Sequence, residues 1–152
     1  MRKLSFLLLI SFLVSCATTS PVKPDLRAGR YEAFYQNEID QGLEPGVNTI
    51  FGDGAGVYEL KLNSCEVCVE NFRWKITGNT LILENYDNYL KDVCKDIIVE
   101  RYDSYTQYFK IMERTEDALY LTLEKDVAKD GSEEFFDYPE PYIWKFVDKI
   151  IK

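Results

Sequence analysis

Alternation of apolar and polar residues with a period of two is the feature that most limits what this chain can fold into. The alternation begins near Gly29 and recurs in short runs separated by Gly, Asn, Asp and Pro. Successive residues of a β-strand point to opposite faces of a sheet, so this period indicates strands with one buried face. The chain is therefore expected to be nearly all β, with strands joined mostly by tight turns.

Turn residues divide the chain after Gly29 into about nine short runs of this kind. Residues 53–56 and the Gly78-Asn79 pair contain residues that tolerate positive φ, and each lies between two alternating runs. Closing such a meander into a barrel removes the exposed strand edges of an open sheet. We therefore expect an all-β fold, an antiparallel up-and-down β-barrel of about eight or nine strands, with a β-sandwich as the alternative. The expected strands cover residues 30–35, 49–51, 58–62, 72–76, 81–83, 97–102, 105–113, 118–124 and 142–147.

One stretch departs from the period of two. Apolar residues there fall at i, i+3, i+4, i+7 and i+11, namely at Tyr86, Tyr89, Leu90, Val93 and Ile97. This spacing is typical of one face of an amphipathic helix. We expect a single short helix in this stretch.

The N-terminus has the pattern of a secretory signal. After Arg2 and Lys3, residues 4–14 are apolar except for two serines, and the run is shorter than the roughly 20 residues of a membrane-spanning helix. The Leu-Val-Ser-Cys segment that ends at Cys16 resembles the lipobox of bacterial lipoproteins. The resemblance implies cleavage before Cys16 and acylation of that cysteine, so that lipid chains attach the protein to a membrane. An ordinary signal peptide followed by a chance cysteine is the alternative.

These features divide the chain into three segments. Residues 1–15 are expected to be the signal peptide, residues 16–25 a lipidated tether that is polar and contains proline, and residues 26–152 the barrel domain. In Gram-negative lipoproteins an Asp after the lipidated cysteine commonly retains the protein at the inner membrane, and this chain has Ala17 there. The resemblance thus implies a place in the cell envelope, at the outer membrane, facing the periplasm or the cell surface.

The domain itself resembles the small bacterial lipoproteins with a lipocalin-like domain. The similarity lies in four segments: Gly29-Arg30-Tyr31 at the opening strand, the turn at residues 51–56, the hairpin at residues 74–81 and the terminal run at residues 142–146. The family name implies an open-ended barrel able to hold a small apolar molecule.

Charge and composition exclude several classes of function. The formal net charge is −8, which disfavours a nucleic-acid-binding groove because such a groove needs a basic surface. The chain contains no histidine, which excludes Ser-His-Asp and Cys-His nucleophile pairs and the commonest ligand of zinc and copper. No spacing of carboxylates singles out a catalytic pair. We therefore assign no catalytic residue, no cofactor and no enzymatic activity.

With Cys16 lipidated, three cysteines remain in a compartment that permits disulfides. A disulfide from Cys94 to Cys65 or Cys68 is expected, because it closes a loop of about 26 to 30 residues and so restricts the unfolded chain. The spacing of Cys65 and Cys68 is also that of thiol oxidoreductases, although the flanking strands do not suit that chemistry. A zinc or copper(I) site made by three thiolates and Glu66 is a further alternative. We predict no metal site.

The connection at residues 126–141 is long for a barrel and mixes acidic and aromatic residues. Its acidic residues are Asp126, Asp130, Glu133, Glu134, Asp137 and Glu140, and its aromatic residues are Phe135, Phe136 and Tyr138. One interpretation is a lid over the barrel mouth or a contact for a basic envelope protein. The other is a solvated loop that its aromatic residues fix to the barrel.

Two classes of function remain. The first is a binding module whose barrel takes a small apolar or amphipathic ligand among inward-facing aromatic side chains. The second is a non-enzymatic structural or interaction lipoprotein with a packed barrel. The residues expected to contact a ligand are Tyr31, Tyr58, Trp74, Phe109, Trp144 and Phe146.

Overall fold

The computed structural model describes residues 26–148, which form ten β-strands and one short helix. The predicted signal peptide, Cys16 and the tether lie outside the described residues. The elements are β1 Gly29–Tyr35, α1 Gln36–Asp40, β2 Gly46–Ile50, β3 Ala55–Lys61, β4 Glu66–Thr77, β5 Thr80–Asp92, β6 Ile97–Tyr102, β7 Tyr105–Arg114, β8 Ala118–Ala128, β9 Glu133–Phe135 and β10 Tyr142–Asp148. No helix within residues 26–148 is long and apolar enough to cross a membrane.

Eight of the strands close into an antiparallel barrel in the order β1, β2, β3, β4, β5, β7, β8 and β10. The barrel closes because β10 pairs with β1 on one side and with β8 on the other. The two remaining strands lie outside the ring: β6 pairs with β5, and β9 pairs with β8. The all-β barrel with one short helix that the sequence predicts is confirmed, whereas a β-sandwich is not formed.

The prediction of a helix between Tyr86 and Ile97 is wrong, because β5 continues through this stretch to Asp92. Opposite β4, Asn85 pairs with Phe72 and Asp87 with Asn71, so Tyr86 is an extra residue, a β-bulge. The bulge shifts the alternation by one position, so the buried Asn85 and Asn88 are three residues apart, and so are the outward-facing Tyr86 and Tyr89. A spacing of three within a strand imitates a helical period, which explains the error.

The short helix is α1 instead, in the connection from β1 to β2. The connection predicted at residues 126–141 is shorter than expected, because β8 continues to Ala128 and a turn leads directly into β9. Asp126 is therefore a strand residue and does not belong to the loop. Its side chain lies on the inward face, opposite Gln107 of β7.

The barrel has two different ends. The closed end carries tight turns at residues 51–54, 78–79 and 115–117, and Leu26 is buried there ahead of β1. The second turn needs a glycine, because Gly78 has φ of +60°. The open end carries α1, the β3–β4 and β5–β6 turns and residues 129–141.

The interior next to the closed end is a continuous apolar core, which we call the apolar half. Inward positions of the strands supply it, as the period of two requires. Its members are Leu26, Tyr31, Ala33, Ile50, Phe72, Leu81, Leu83, Phe109, Ile111, Leu119, Leu121, Leu123 and Trp144.

Candidate functional site

Toward the open end the inward positions become polar, and we call this part of the interior the polar half. Strand register places Glu70 of β4 beside Tyr58 of β3, and Asn85 of β5 opposite Tyr105 of β7. The polar half thus collects side chains from seven barrel strands. Its members are Asn48, Tyr58, Glu70, Asn85, Tyr105, Gln107, Asp126 and Tyr142.

A cavity of about 90 Å³ lies where the two halves meet. Phe72, Leu83, Phe109 and Trp144 form its apolar wall. The other wall consists of Asn48, Tyr58, Glu70, Asn85, Gln107 and Tyr142. A cavity of this size and polarity has room for a few water molecules or for one small polar group, since a water needs on the order of 10 to 15 Å³.

Two buried polar atoms among the residues that line the cavity have no hydrogen-bond partner. They are Oδ1 of Asn85, whose side chain is 4% exposed, and Nε1 of Trp144, which is fully buried. The other polar atom of the Asn85 side chain, Nδ2, donates a hydrogen bond to Oε1 of Gln107 over 3.5 Å. Buried polar atoms without partners cost about 1 to 3 kcal/mol each, so they are rare in folded proteins unless a bound molecule or water completes them.

Two carboxyl groups, those of Glu70 and Asp126, occupy the polar half. Burial raises the pKa of Glu70 above its ordinary value, a hydrogen bond from Tyr105 opposes this shift, and Asp126 adds to it. Burial also raises the pKa of Asp126, against a hydrogen bond from Gln107, and Oδ1 of Asp126 has no partner. The polar half is therefore rich in acceptor oxygens and carries negative charge when these groups ionise.

Outside the cavity, the open end has a cleft of about 320 Å³. Its walls are mostly apolar or aromatic, and Glu38, Glu44 and Lys61 are its charged residues. Its apolar and aromatic walls include Tyr35, Leu43, Tyr58, Leu60 and Tyr142. The cleft lies between β3 and the segment from β1 through α1 to β2, and it opens to solvent.

The side chains of Tyr58 and Tyr142 line both the cleft and the cavity, so they form the partition between them. The hydroxyls of Tyr58 and Tyr142 share a hydrogen bond, and burial together with neighbouring acidic groups raises the pKa of Tyr58 to about 12. Both hydroxyls are therefore protonated at neutral pH. The Tyr58 ring packs directly on Gly46, where a Cβ would lie 2.2 Å from the ring, so the glycine is needed for this position of the ring.

Aromatic residues of the connection before β10 pack over the open end. Phe136 packs against the core and stacks on Tyr138, with ring centroids 5.5 Å apart, and Tyr138 contacts Tyr35. The carboxylate of Glu140 accepts a hydrogen bond from the backbone N–H of Asn37 in α1. These contacts fix the connection to the barrel, as the second of the two sequence interpretations expects.

The six residues predicted to contact a ligand separate into two groups. Tyr58, Phe109 and Trp144 line the cavity. Trp74 packs against the apolar core, and Tyr31 and Phe146 contact each other edge to face in the apolar half, with centroids 5.2 Å apart. Glu70, Asn85 and Gln107 also line the cavity but were not among the predicted residues. The sequence signal for them is a polar residue at an inward position of an alternating strand.

The disulfide joins Cys65 to Cys94 and so links the β3–β4 turn to the β5–β6 turn at the open end, which confirms one of the two predicted pairings. Cys68 is free and half-buried on β4, and burial raises its thiol pKa, which disfavours thiolate chemistry. Cys65 and Cys68 are therefore not a redox pair. Between Leu26 and Asp148, no three His, Cys, Asp or Glu side chains are grouped closely enough to hold a metal ion.

Comparison with known proteins identifies no family model that matches this chain. No curated protein matches it significantly in sequence either. The class that the geometry defines is an antiparallel eight-stranded β-barrel with a small, polar internal cavity behind an aromatic cleft.

Proposed function

We propose that this protein is a lipid-anchored envelope protein whose barrel binds a small amphipathic molecule at its open end. The observation that carries the proposal is the cavity with the unpaired Asn85 and Trp144 atoms, which lies directly behind a cleft with apolar and aromatic walls. A molecule with a polar head and an apolar tail matches both compartments. The head would complete the buried hydrogen bonds, and the tail would lie in the cleft.

The same geometry disfavours a purely apolar ligand inside the barrel. Cavities of about 150 Å³ with apolar walls bind benzene, whereas the cavity here is smaller, at about 90 Å³, and six of its ten lining residues are Asn, Gln, Glu or Tyr. Side chains such as Leu81, Leu121 and Phe72, almost completely buried, fill the rest of the interior. The apolar part of a ligand therefore belongs in the cleft, between Tyr35, Leu43 and Leu60.

Binding is tested with a chain that begins at Leu26, because all eight barrel strands and the disulfide lie within residues 26–148. A fluorescent alkyl probe is titrated into the protein, and unlabelled amphiphiles are used to displace it. Tyr58→Ala should weaken binding about tenfold, because it removes the partition and one wall of the cleft. Tyr86→Ala is the matched control, since Tyr86 is exposed on β5 and should leave binding unchanged. Absence of saturable binding by the native chain would refute the proposal.

The lipid anchor is proposed from the lipobox that ends at Cys16 and from the polar, proline-containing stretch after it. Cys16→Ser should leave an uncleaved precursor without lipid. Partition into detergent and apparent mass, measured for the native chain and for the variant expressed in a bacterial host, check this expectation. A variant of mature size that still enters the detergent phase would contradict the assignment.

A second candidate function, an interaction protein that pairs through β6, rests on the exposure of that strand. All six residues of β6 are exposed, including Ile97, Ile98 and Val99, and within residues 26–148 the strand pairs only with β5. Strand edges of this kind favour pairing with another strand. The partner proposed here is a second copy, because antiparallel pairing of two β6 strands about Ile98 places the exposed Ile97 of one copy opposite the exposed Val99 of the other.

Sedimentation measures this alternative directly. Ile98→Lys should abolish a dimer, whereas Val147→Lys should preserve it, because Val147 is equally exposed on β10, a strand that is paired on both sides. A native chain that is monomeric at all concentrations would exclude self-pairing. The predicted contact between the acidic surface and a basic envelope protein stays a prediction.

A further inference from the structure

We infer that the polar half selects amphipathic molecules with a protonated amine as the head group, held by the carboxylate of Glu70 and by Oδ1 of Asn85. The inference rests on the proposed function and specifies the chemistry of its ligand. It follows from the kinds of hydrogen-bonding group that line the cavity, their charge, and the size of the space they enclose.

The charge of the cavity wall favours a cationic head group. Among the described residues that line the cavity, the one ionisable carboxyl group is that of Glu70, and no lysine or arginine contributes to the wall. A second carboxyl group, that of Asp126, is close enough to raise the pKa of Glu70 further. A negative charge in a site with little water is stabilised by a cation, and a cationic guest would provide one.

The hydrogen-bonding groups of the cavity favour a head group with several donors. Oδ1 of Asn85 is a buried acceptor without a donor, and Glu70 accepts from the Tyr105 hydroxyl while further lone pairs of its carboxylate are available. A primary ammonium group has three N–H donors and no acceptor. It can therefore donate to both residues at once. Hydrogen bonds between charged partners are roughly twice as strong as those between neutral groups.

Carboxylate and hydroxyl head groups fit the polar half less well than an amine. A carboxylate head would face Glu70 and Asp126 with the same sign of charge and would offer no donor to Asn85. A hydroxyl head donates a single hydrogen bond and leaves the carboxylate charge unbalanced. The order of affinity at neutral pH should therefore be amine, then alcohol, then carboxylate, for tails of equal length.

The volume of the cavity limits the size of the head group. A cavity of about 90 Å³ accommodates an ammonium group with its first carbon atoms and one water molecule. That water can accept a hydrogen bond from Nε1 of Trp144, which is the unpaired donor of the wall. To enter from the cleft, the head displaces the hydrogen bond between Tyr58 and Tyr142.

The test compares dodecylamine, dodecanol and dodecanoate as competitors of the alkyl probe on the chain that begins at Leu26. Dodecylamine should bind roughly tenfold more tightly than dodecanol, and dodecanoate should bind least. Glu70→Gln should bring the affinity for the amine to within about twofold of that for the alcohol, whose own affinity should not change. Glu59→Gln is the matched control, because Glu59 directly follows Tyr58 on β3 but is exposed, so the amine preference should persist.

Asn85→Leu provides a second variant in case Glu70→Gln does not fold, and it should reduce the amine preference severalfold. Equal binding of the three amphiphiles overturns the head-group inference and leaves the proposed function intact. An amine preference that survives both Glu70→Gln and Asn85→Leu also overturns it. If none of the three amphiphiles displaces the probe, the proposed function and this inference are both wrong.

Discussion

The apolar half and the polar half of the barrel interior are formed by the same strands, yet they differ in what they contribute. On the inward face of β5, Leu81 and Leu83 lie in the apolar half, and Asn85 follows two residues later in the polar half. Leu81 is completely buried among other apolar side chains, whereas Asn85 is almost as buried but has an acceptor without a partner. The apolar half stabilises the fold, and the polar half retains groups that a purely structural core would not need.

The largest expected difference follows from substitutions on that single strand. Leu81→Ala should lower the free energy of unfolding by about 2 to 5 kcal/mol, because it leaves a cavity in a packed core. Asn85→Leu should leave it within about 1 kcal/mol of the native value or raise it, because the change removes an unpaired buried acceptor. Urea unfolding of the two variants measures both values. A loss of more than about 2 kcal/mol in Asn85→Leu would show that the polar half also stabilises the fold. That result would contradict the difference proposed between the two halves.

The disulfide is expected to compensate for the weaker core at the open end. Replacing Cys65 and Cys94 by serine should cost about 2 to 4 kcal/mol, because the bridge closes a long loop and restricts the unfolded chain. The two cysteines are 29 residues apart in sequence. Unfolding of the double variant is compared with that of Cys68→Ser, which removes a free thiol on the same segment and should cost less than about 1 kcal/mol. Equal losses in the two variants would contradict this role.

Two glycines that each support an aromatic ring offer a closer comparison. A Cβ at Gly56 would lie 2.3 Å from the Phe72 ring in the apolar half, and a Cβ at Gly46 would lie 2.2 Å from the Tyr58 ring at the cleft. Phe72 is 1% exposed and borders only the cavity of about 90 Å³, whereas Tyr58 also borders the open cleft of about 320 Å³. Gly56→Ala should therefore cost about 1 to 3 kcal/mol and Gly46→Ala less.

Thermal unfolding of the two glycine variants gives the order. Gly46→Ala should also weaken binding of the alkyl probe, because it displaces one half of the tyrosine partition, and Gly56→Ala should change binding little. The reverse pattern in both measurements would mean that the Tyr58 ring cannot shift and is packed more tightly than the Phe72 ring.

The smallest expected effect is a dependence of the unfolding free energy on pH, which should arise from Glu70 in the polar half. Because burial raises the pKa of Glu70 in the folded protein, the folded state binds more protons than the unfolded state between the two pKa values. Stability from this group is fully present below the unfolded pKa and is lost as the pH rises through the folded pKa. Glu70→Gln should therefore stabilise the protein at neutral pH, and the gain should disappear at a pH below the ordinary glutamate pKa.

Unfolding free energies of the native chain and of Glu70→Gln, measured from acidic to neutral pH, check this expectation. Leu81→Val is the control, because an apolar substitution should shift stability by the same amount at every pH. A gain in Glu70→Gln that is constant with pH would contradict the assigned ionisation of this group.

Several features of the fold could be read from residues that act locally. The alternation at residues 118–124 and 142–147 predicts strands, because a strand exposes alternate residues to the same face whatever its partner. Gly78 and Asn79 predict a turn because few other residues tolerate its backbone angles. The barrel was predictable for the same reason, since a meander of many short strands has few other ways to pair its edges.

Other features depend on which strands become neighbours. The bulge at Tyr86 shifts the alternation of β5 by one residue. When the partner strand is not known, the shifted pattern of apolar residues resembles that of a helix. The sequence predicts a loop at Asp126, because the inward position of this residue is defined only by its pairing with Gln107. Glu70, Asn85 and Gln107 are far apart in sequence, and no local pattern indicates that three strands bring them to one cavity.

The sequence by itself thus determined most of the strands, the tight turns and the set of cysteines available for a bridge, because these follow from backbone preference and from the need to bury one face of each strand. That the sheet closes into a barrel and does not form a sandwich was decided by the pairing of β10 with both β1 and β8. The tertiary structure decided that Cys94 pairs with Cys65 instead of Cys68, and that the polar inward residues gather at the open end of the barrel. The physical reason is register. A shift of one residue moves a side chain to the other face of a strand, and register is set by contacts across the whole barrel.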